Sequence, residues 1–141
     1  FGWEATYVRS YEYQRDKGDP YVQNVGKYVD ASPVLRWQHT LNASWKMGAF
    51  GATFAVNNKS GYEDQNAVEP EYFNRVKSYT TADASFTWNP VKYAKITLGV
   101  KNLFDTKPPF TNQGTTFQQG YDPRLTDPYG RTLTARLNVS F

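Results

Sequence analysis

The sequence predicts an all-β fold, an antiparallel transmembrane β-barrel segment of about six strands with short turns at one end and long loops at the other. Three observations support this prediction: polar and apolar residues alternate in six runs, short and long connections alternate between the runs, and aromatic residues flank the short turns. Alternation with a period of two is typical of a strand whose two faces meet different surroundings. The sequence therefore indicates a sheet with one apolar face and one polar face.

The composition fits a barrel wall. The mean hydropathy is low, at -0.71, yet 17% of the 141 residues are aromatic, and disordered segments contain few aromatic residues. A barrel wall has both properties because only alternate strand residues face lipid. No apolar run approaches the roughly 18 residues that a spanning helix requires. The net charge of +3 comes from scattered Lys and Arg residues, which argues against a nucleic acid as partner.

The alternating runs differ in clarity. They lie at about residues 2–14, 35–45, 50–57, 76–88, 94–101 and 132–141. The first run is the weakest, because Arg9 falls on the same face as its aromatic residues. The last run is the clearest, since its apolar residues alternate strictly with polar ones: Leu133, Ala135, Leu137, Val139 and Phe141. We expect the apolar face of each run to contact lipid.

The connections between the runs also alternate. Residues 46–49 and 89–92 form tight hairpins, whereas the connections at about 15–33, 57–75 and 105–130 are long and polar. In an antiparallel meander this order places all long loops at one end of the sheet, as in outer-membrane barrels. Trp45 and Phe50 flank the first hairpin, and Trp88 and Tyr93 flank the second, as expected at a membrane interface. A soluble sheet with aromatic ends is the alternative interpretation.

A family resemblance becomes visible at residues 99–105, which read Gly-Val-Lys-Asn-Leu-Phe-Asp. This segment and the following Pro-Pro resemble the penultimate strand of TonB-dependent outer-membrane receptors, where an Asn-Leu-Phe-Asp signature recurs. The motif residues are Asn102, Leu103, Phe104, Asp105, Pro108 and Pro109. Residues 120–124 (Gly-Tyr-Asp-Pro-Arg), 127–131 (Asp-Pro-Tyr-Gly-Arg) and the terminal run are similar to the final loop and strand of that family. Residues 60–65 (Ser-Gly-Tyr-Glu-Asp-Gln) resemble the top of an earlier strand.

The resemblance implies that residues 1–141 are the C-terminal part of a receptor in a Gram-negative outer membrane. Such a receptor has an N-terminal plug inside a large barrel and is driven by an inner-membrane TonB complex. It imports a siderophore, an oligosaccharide or a similar large solute. The chain starts at Phe1 without an initiator Met, so we expect any signal peptide to lie outside it. The motifs that carry the resemblance belong to the barrel, so we expect plug, TonB-box peptide and earlier strands to lie outside the chain as well. Six strands are too few to enclose such a lumen.

The terminal run resembles the signal that the barrel-assembly machinery reads in this family. The residues concerned are Leu137, Val139 and Phe141. Two positions depart from the family pattern: Val139 stands where an aromatic residue is usual, and Arg136 lies near a frequent Gly. Phe141 also fits the role of an aromatic residue at the membrane interface.

Catalysis finds no support in the sequence, and we expect no cofactor, no metal site and no enzymatic activity. The only His is His39, on the predicted apolar face, and there is no Cys. Glu63 and Asp64 are neighbours, which on a strand point in opposite directions, so we expect a solvated loop rim. Three Asp residues near Gly and Pro fit turns better than calcium sites: Asp19, Asp122 and Asp127.

Two groups of residues are candidates for contact with partners. We expect the plug, or alternatively a polar solute, to contact the charged residues predicted to face the lumen: Arg36, Asp83, Lys95, Lys101 and Arg136. Loop aromatic residues are candidates for stacking on a sugar or siderophore, or for packing among themselves: Tyr21, Tyr28, Tyr72, Phe73, Phe110, Phe117 and Tyr121.

Two other functions remain open at this point. The first is a complete small outer-membrane barrel of eight strands that acts as an adhesin or structural protein, which the length permits but the six runs do not favour. The second is a soluble, aromatic-rich β-domain that binds carbohydrate. The first predicts a closed barrel, and the second predicts a monomer that is stable without detergent.

Overall fold

A computed structural model describes residues 1–30, 32–65, 69–113 and 119–140 of the protein. Its strands are β1 (Gly2–Tyr7), β2 (Glu12–Tyr13), β3 (Val22–Gln23), β4 (Lys27–Tyr28), β5 (Trp37–Met47), β6 (Phe50–Lys59), β7 (Tyr62–Gln65), β8 (Arg75–Val76), β9 (Tyr79–Val91), β10 (Ala94–Lys101) and β11 (Thr132–Val139). A 3-10 turn covers Pro70–Tyr72. No helix in the described part of the chain is long and apolar enough to cross a membrane.

The six long strands form one antiparallel sheet in the order β1-β5-β6-β9-β10-β11. Each strand therefore pairs with the long strand that follows it in sequence, as the alternating runs predict. Strands β5 and β6 are joined through Gly48, whose φ of 55° suits a two-residue turn. The longer connections all emerge at the opposite end. The predicted meander with short turns at one end and long loops at the other is confirmed.

The pairing register confirms the two predicted faces. Paired residues of neighbouring strands point to the same side of a sheet. Leu98 pairs with Phe86 and Ala135, and Phe54 pairs with Ala84, so these residues share what we call the apolar face. Every Asp, Glu, Lys and Arg of the six strands lies on the opposite, polar face: Glu4, Lys46, Lys59, Asp83, Lys95, Lys101 and Arg136.

The apolar face has the height of a membrane core. Aromatic rings gather at its loop end, where Trp37 lies against Trp3 and Tyr7, and Trp45 lies near the first short turn. Eight residues separate Trp37 from Trp45, which is about 27 Å along a strand, or about 21 Å along the membrane normal at a usual tilt of about 40°. This height is close to the apolar band of about 25 Å in outer-membrane barrels.

Three strand predictions are wrong at their ends. The first run was expected to continue to Gln14, but β1 ends at Tyr7, and Glu12 and Tyr13 pair with β3 in a separate hairpin. Arg9 therefore lies outside the wall strand, which removes its conflict with the apolar face. Leu35 and Val76 were assigned to wall strands, but both are buried in a core beneath the loops. These two apolar residues are removed from water by burial under the loops and not by contact with lipid.

The long loops form a second, smaller layer at their end of the sheet. Strands β4, β7 and β8 make a three-stranded sheet, with β4 and β7 parallel. Its core consists of Tyr28, Leu35, Tyr62 and Val76, with Leu125 packed against them. Among the described residues, most buried apolar side chains therefore lie in the loops, whereas the long strands expose most of their large apolar side chains.

Candidate functional site

The candidate site lies where the loop layer meets the polar face of the sheet. Asp64 of β7 is 1% exposed and holds two later segments. Its Oδ1 accepts a hydrogen bond from Thr111 Oγ1 at 2.7 Å, and its Oδ2 accepts one from Asn74 Nδ2 at 3.0 Å and another from the backbone N–H of Asn112. One carboxylate thus joins segments that are up to 48 residues apart in sequence.

Arg124 and Asp122 form a second connection within the loop layer. The side chain of Asp122 is 1% exposed, and Arg124 Nη2 lies 2.8 Å from its Oδ2. Arg124 Nε donates to Oδ1 at 3.0 Å, which makes the pair bidentate. The guanidinium also stands over the ring of Tyr28, 5.9 Å from its centre. Hydrogen bonding to Asp122 raises the pKa of Arg124 above its usual value.

A cavity of about 790 Å³ lies between this loop and the polar face. Loop residues 123–130 line one side, and polar residues of β1, β5, β6, β9 and β10 line the other. The lining carries charges of both signs, including Glu4, Lys59 and Asp83. Lys59 Nζ donates to the backbone carbonyl of Leu125 at 2.6 Å, which ties the loop to the sheet. The cavity is thus lined mainly by polar residues, and loop residues 123–130 cover one side of it.

A chain of hydrogen bonds crosses the sheet side of this cavity. Thr40 Oγ1 donates to Asn57 Oδ1 at 2.9 Å, and Asn57 Nδ2 donates to Asp83 Oδ2 at 3.3 Å. Asp83 Oδ1 then accepts the backbone N–H of Asn102 at 2.8 Å. Each polar group is paired with its neighbour, so the wall of the cavity is preorganised to meet a polar partner.

The Asn-Leu-Phe-Asp motif forms a closed turn after β10. The buried Asn102 has a φ of 50° and Asp105 one of 54°, a conformation that Asn and Asp tolerate better than most residues. Asn102 Nδ2 donates to the carbonyl of Thr106 at 2.9 Å, and Asn102 Oδ1 accepts the N–H of Thr106 at 2.9 Å. The side-chain amide of Asn102 therefore pairs with the backbone of Thr106 as a neighbouring strand would. This pairing fixes the direction in which the chain leaves β10.

Asp105 connects this turn to the start of the last strand. Its Oδ1 accepts the backbone N–H of Arg131 at 2.9 Å, and its Oδ2 pairs with Lys107 Nζ at 3.0 Å. Both interactions hold the pKa of the Asp105 carboxyl below its usual value, with Lys107 as the larger cause. Gly130 has a φ of 67°, and a Cβ added there would collide with Asp105 Oδ1. The two family-like motifs at 102–105 and 127–131 are thus in direct contact.

We expect Asn102→Ala to destabilise the protein by about 1–3 kcal/mol, since it removes both hydrogen bonds to Thr106 and places Ala at positive φ. Asn102→Asp keeps one acceptor and the tolerance of positive φ, so its effect should be smaller. Hydrogen exchange of residues 102–106 in the intact protein measures the difference. Equal exchange in the wild type and the Ala variant would contradict this role for the side chain.

The structure separates the predicted loop aromatic residues into two groups. Tyr21, Tyr72, Phe73 and Phe110 are exposed. Tyr28 is only 1% exposed: its ring packs in the loop core under Arg124, which agrees with packing within the loops, the second alternative given for these residues. Tyr121 is half-buried, and Phe117 lies outside the described residues.

The structure places the other predicted residues in the terminal strand, in the turn after β10 and near β5. In the terminal strand, Leu137 and Val139 are exposed on the apolar face, and Phe141 lies outside the described residues. The motif residues Leu103, Pro108 and Pro109 are half-buried, and Phe104 is exposed. Arg36 lies outside the wall strands and donates to the carbonyl of Arg9 at 3.5 Å. His39 lies on the apolar face and accepts a hydrogen bond from the Trp37 indole at 2.6 Å.

Sequence reasoning missed the role of the buried carboxylates. Asp64 was expected on a solvated rim, but it is buried because three donors from later segments surround it. Asp122 does form the expected turn, since its Oδ1 accepts the N–H of Arg124 at 2.9 Å, and it is also the buried partner of that Arg. In the sequence, only the two-residue spacing of Asp122 and Arg124 could have indicated this ion pair.

The sheet, its faces and its loop layer define a class of protein. A six-stranded antiparallel meander with an exposed apolar face, aromatic residues near its ends and charges only on the other face is a segment of a transmembrane β-barrel.

The sequence matches the family described as TonB dependent receptor-like, beta-barrel, over residues 1–103. The chain belongs to this family. The match covers β1 to β10 and the first two motif residues, Asn102 and Leu103. No curated protein and no solved structure was found to match the chain. Members of the family are receptor and transporter barrels, not enzymes, and they typically lie in the outer membrane of Gram-negative bacteria. Membership excludes the soluble carbohydrate-binding domain considered above.

Proposed function

We propose that the chain is the C-terminal part of the barrel of an outer-membrane TonB-dependent receptor, which takes up a siderophore, an oligosaccharide or a similar large solute. The observation that carries the proposal is a membrane wall with two unpaired edges. In the described residues β1 pairs only with β5, and β11 only with β10. Lipid cannot satisfy the free backbone groups of such edges. Further strands of the same receptor would pair with them and close the barrel.

The loop end supports the proposed class of solute. Exposed rings lie there at Tyr21, Tyr72, Phe73 and Phe110, and the polar cavity opens beneath the loop layer. Aromatic faces stack on the apolar faces of sugars and on aromatic siderophores, while amide, hydroxyl and carboxylate groups bind their polar groups. The receptor would bind the solute at these loops before import.

The proposal also includes protein and lipid partners. The family works with a plug domain and the TonB system in general. For this chain we propose contact of the polar face with its own plug, energy supply from an inner-membrane TonB complex through the N-terminal part of the receptor, and contact of the apolar face with outer-membrane lipid. The barrel-assembly machinery would read the terminal strand.

Site-directed spin labelling of the receptor in bilayers tests the proposed wall. Labels at successive positions 132 to 140 should show alternating accessibility to a lipid-soluble relaxation agent. Leu133, Ala135, Leu137 and Val139 should be accessible, because they share the apolar face. Uniform accessibility to water along the strand would refute the barrel wall and with it the proposed function.

Deletion of Phe141 tests the proposed assembly signal. We expect a several-fold loss of folded receptor in the outer membrane, measured by its heat-modifiable mobility on gels, with no change in the solute specificity of the remaining receptor. Phe141→Tyr retains an aromatic ring and is the matched control. Normal assembly of the deletion variant would show that the terminal ring is dispensable.

A further inference from the structure

The sheet side of the cavity of about 790 Å³ carries a regular array of polar side chains. The pairing register arranges them in two rows across β1, β5, β6 and β9. The upper row, nearer to the loops, consists of Thr6, Gln38, Lys59 and Tyr79, and the lower row consists of Glu4, Thr40, Asn57 and Thr81. Neighbours within a row are about 4.8 Å apart, and the rows are about 6.8 Å apart along each strand. We call these eight residues the polar array.

Part of the polar array is fixed, and part of it is open to a ligand. Thr40 and Asn57 are hydrogen-bonded to each other. The side chains of Thr6, Gln38 and Thr81 make no hydrogen bond to any residue that the structure describes, and Thr6 and Gln38 are exposed. A hydroxyl can donate one hydrogen bond and accept two, and an amide can donate two and accept two. The array therefore presents several unused donors and acceptors beside groups that are already held in place.

The charges that line the cavity cancel, and most of them are already bonded. The lining contains three acidic and three basic side chains: Glu4, Asp83, Asp127, Lys59, Lys101 and Arg124. Arg124 is paired with Asp122, and Lys59 donates to the carbonyl of Leu125. Among the described lining residues, Lys101 is therefore the one Lys or Arg without a bonded partner. A strongly anionic ligand is bound by several cations that converge on it, and this lining does not provide them.

An exposed aromatic ring completes the lining on the loop side. Tyr129 is 86% exposed and lines the cavity. Its backbone N–H donates to Asp127 Oδ1 at 3.0 Å, and Tyr79 of the polar array donates its hydroxyl to the carbonyl of Asp127 at 3.3 Å. The turn that carries the ring is therefore tied to the sheet. A sugar ring can stack its C–H face on such an aromatic ring while its hydroxyls bind amide and hydroxyl groups nearby.

We propose that the polar array and Tyr129 form a subsite for a neutral oligosaccharide, so that the solute of this receptor is a glycan and not a ferric siderophore. This inference rests on the proposed function, because it needs a receptor that binds a large solute at the loop end. Gln38 and Thr81 bind sugar hydroxyls, and Tyr129 stacks on a sugar ring. Closely spaced donors and acceptors suit a ligand that carries a hydroxyl on most of its carbons. A siderophore instead directs its chelating oxygens towards the iron.

Titration calorimetry on the intact, purified receptor tests this subsite. The probes are a library of neutral oligosaccharides, a ferric tris-catecholate and a ferric trihydroxamate. We expect binding of a neutral oligosaccharide, with an affinity that changes less than about twofold between about 50 mM and about 500 mM salt, because an uncharged ligand is not screened. The Gln38→Ala/Thr81→Val variant should bind it roughly tenfold more weakly, since two hydrogen bonds are lost. Thr87→Val is the matched control, because Thr87 lies on the same face of β9 but outside the cavity.

The ring and the position of the sugar are tested separately. Tyr129→Ala should weaken binding several-fold, whereas Tyr129→Phe keeps the ring and should retain most of the affinity. Heat-modifiable mobility on gels shows whether each variant is folded. A labelling measurement does not depend on these variants: in Thr6→Cys, saturating oligosaccharide should slow the reaction with a maleimide several-fold. In Thr87→Cys, outside the cavity, the oligosaccharide should leave the rate unchanged.

Four outcomes overturn the subsite. They are binding of a ferric chelate instead of an oligosaccharide, no binding by any member of the oligosaccharide library, equal losses of affinity in the double variant and in Thr87→Val, and unchanged maleimide labelling of Thr6→Cys. Spin labels at positions 132 to 140 of the same receptor are read in parallel. If their alternation persists while one of these outcomes is found, only this inference fails; if the alternation is lost, the proposed function fails as well.

Discussion

Replacing Leu137 with Arg is expected to destabilise the receptor by up to about 2–4 kcal/mol, the loss of stability that a charge on the lipid face can cause in outer-membrane barrels. Leu137 is 66% exposed on the apolar face and pairs with Ile96. An Arg there would have to lose much of its hydration or distort the surrounding lipid. Unfolding of the purified receptor in lipid vesicles by denaturant measures the change in free energy.

The neighbouring residue gives a matched control for this prediction. Asn138 follows Leu137 in β11 and faces the polar side, together with Lys95, its pairing partner. Asn138→Arg adds the same side chain to the same strand but keeps it in a polar environment, so we expect a change of less than about 1 kcal/mol. Equal losses of stability in the two variants would mean that the faces are wrongly assigned.

The six-stranded sheet could be predicted from the sequence because its two different surroundings require apolar and polar residues to alternate. A strand between lipid and a polar interior must alternate, and one pairing register then fixes the faces of all six strands. Leu98 and Phe86 were correctly placed for this reason. The alternation fails at Leu35 and Val76, because apolar residues beyond the wall find burial in the loop core instead of lipid.

The loop layer was predictable only where its interactions are local. Asn102 contacts Thr106, and Asp122 contacts Arg124, so both turns leave short-range patterns in the sequence. The partners of Asp64 lie 10 to 48 residues away, and no local pattern reports them. The charged residues of the wall are an intermediate case: the lumen-facing positions of Lys95 and Arg136 were expected from alternation, but the alignment of Arg136 with Lys46 depends on the register across five strands.

Replacing Asp64 with Ala should release the loops that carry the exposed aromatic residues. The substitution leaves the donors of Thr111, Asn74 and Asn112 without their shared acceptor, at a cost of about 2–5 kcal/mol in local stability. Hydrogen exchange should accelerate in residues 72–76 and 109–113, while the strands β5, β6 and β9 keep their protection. Unchanged exchange in these segments would show that other contacts hold the loops.

Glu63→Ala is the matched control for Asp64→Ala. Glu63 is the preceding residue in β7, and its side chain is 40% exposed and pairs with Lys27 at 3.4 Å. Such exposed pairs contribute at most about 1 kcal/mol, so this variant should leave the loop exchange almost unchanged. A similar acceleration in both variants would attribute the effect to β7 as a whole instead of to the buried carboxylate.

The same carboxylate links loop stability to the proposed binding of solute. Asn74, which donates to Asp64, also donates to the carbonyl of Phe110 at 3.3 Å, and Asn112 Nδ2 donates to the carbonyl of Tyr72 at 3.1 Å. Two exposed rings are therefore positioned through partners of Asp64. The Asp64→Ala receptor should bind its solute more weakly, because ordering the loops adds to the free-energy cost of binding. The Glu63→Ala receptor should bind the solute normally. The comparison separates the effect of loop order from the effect of removing a negative charge from β7.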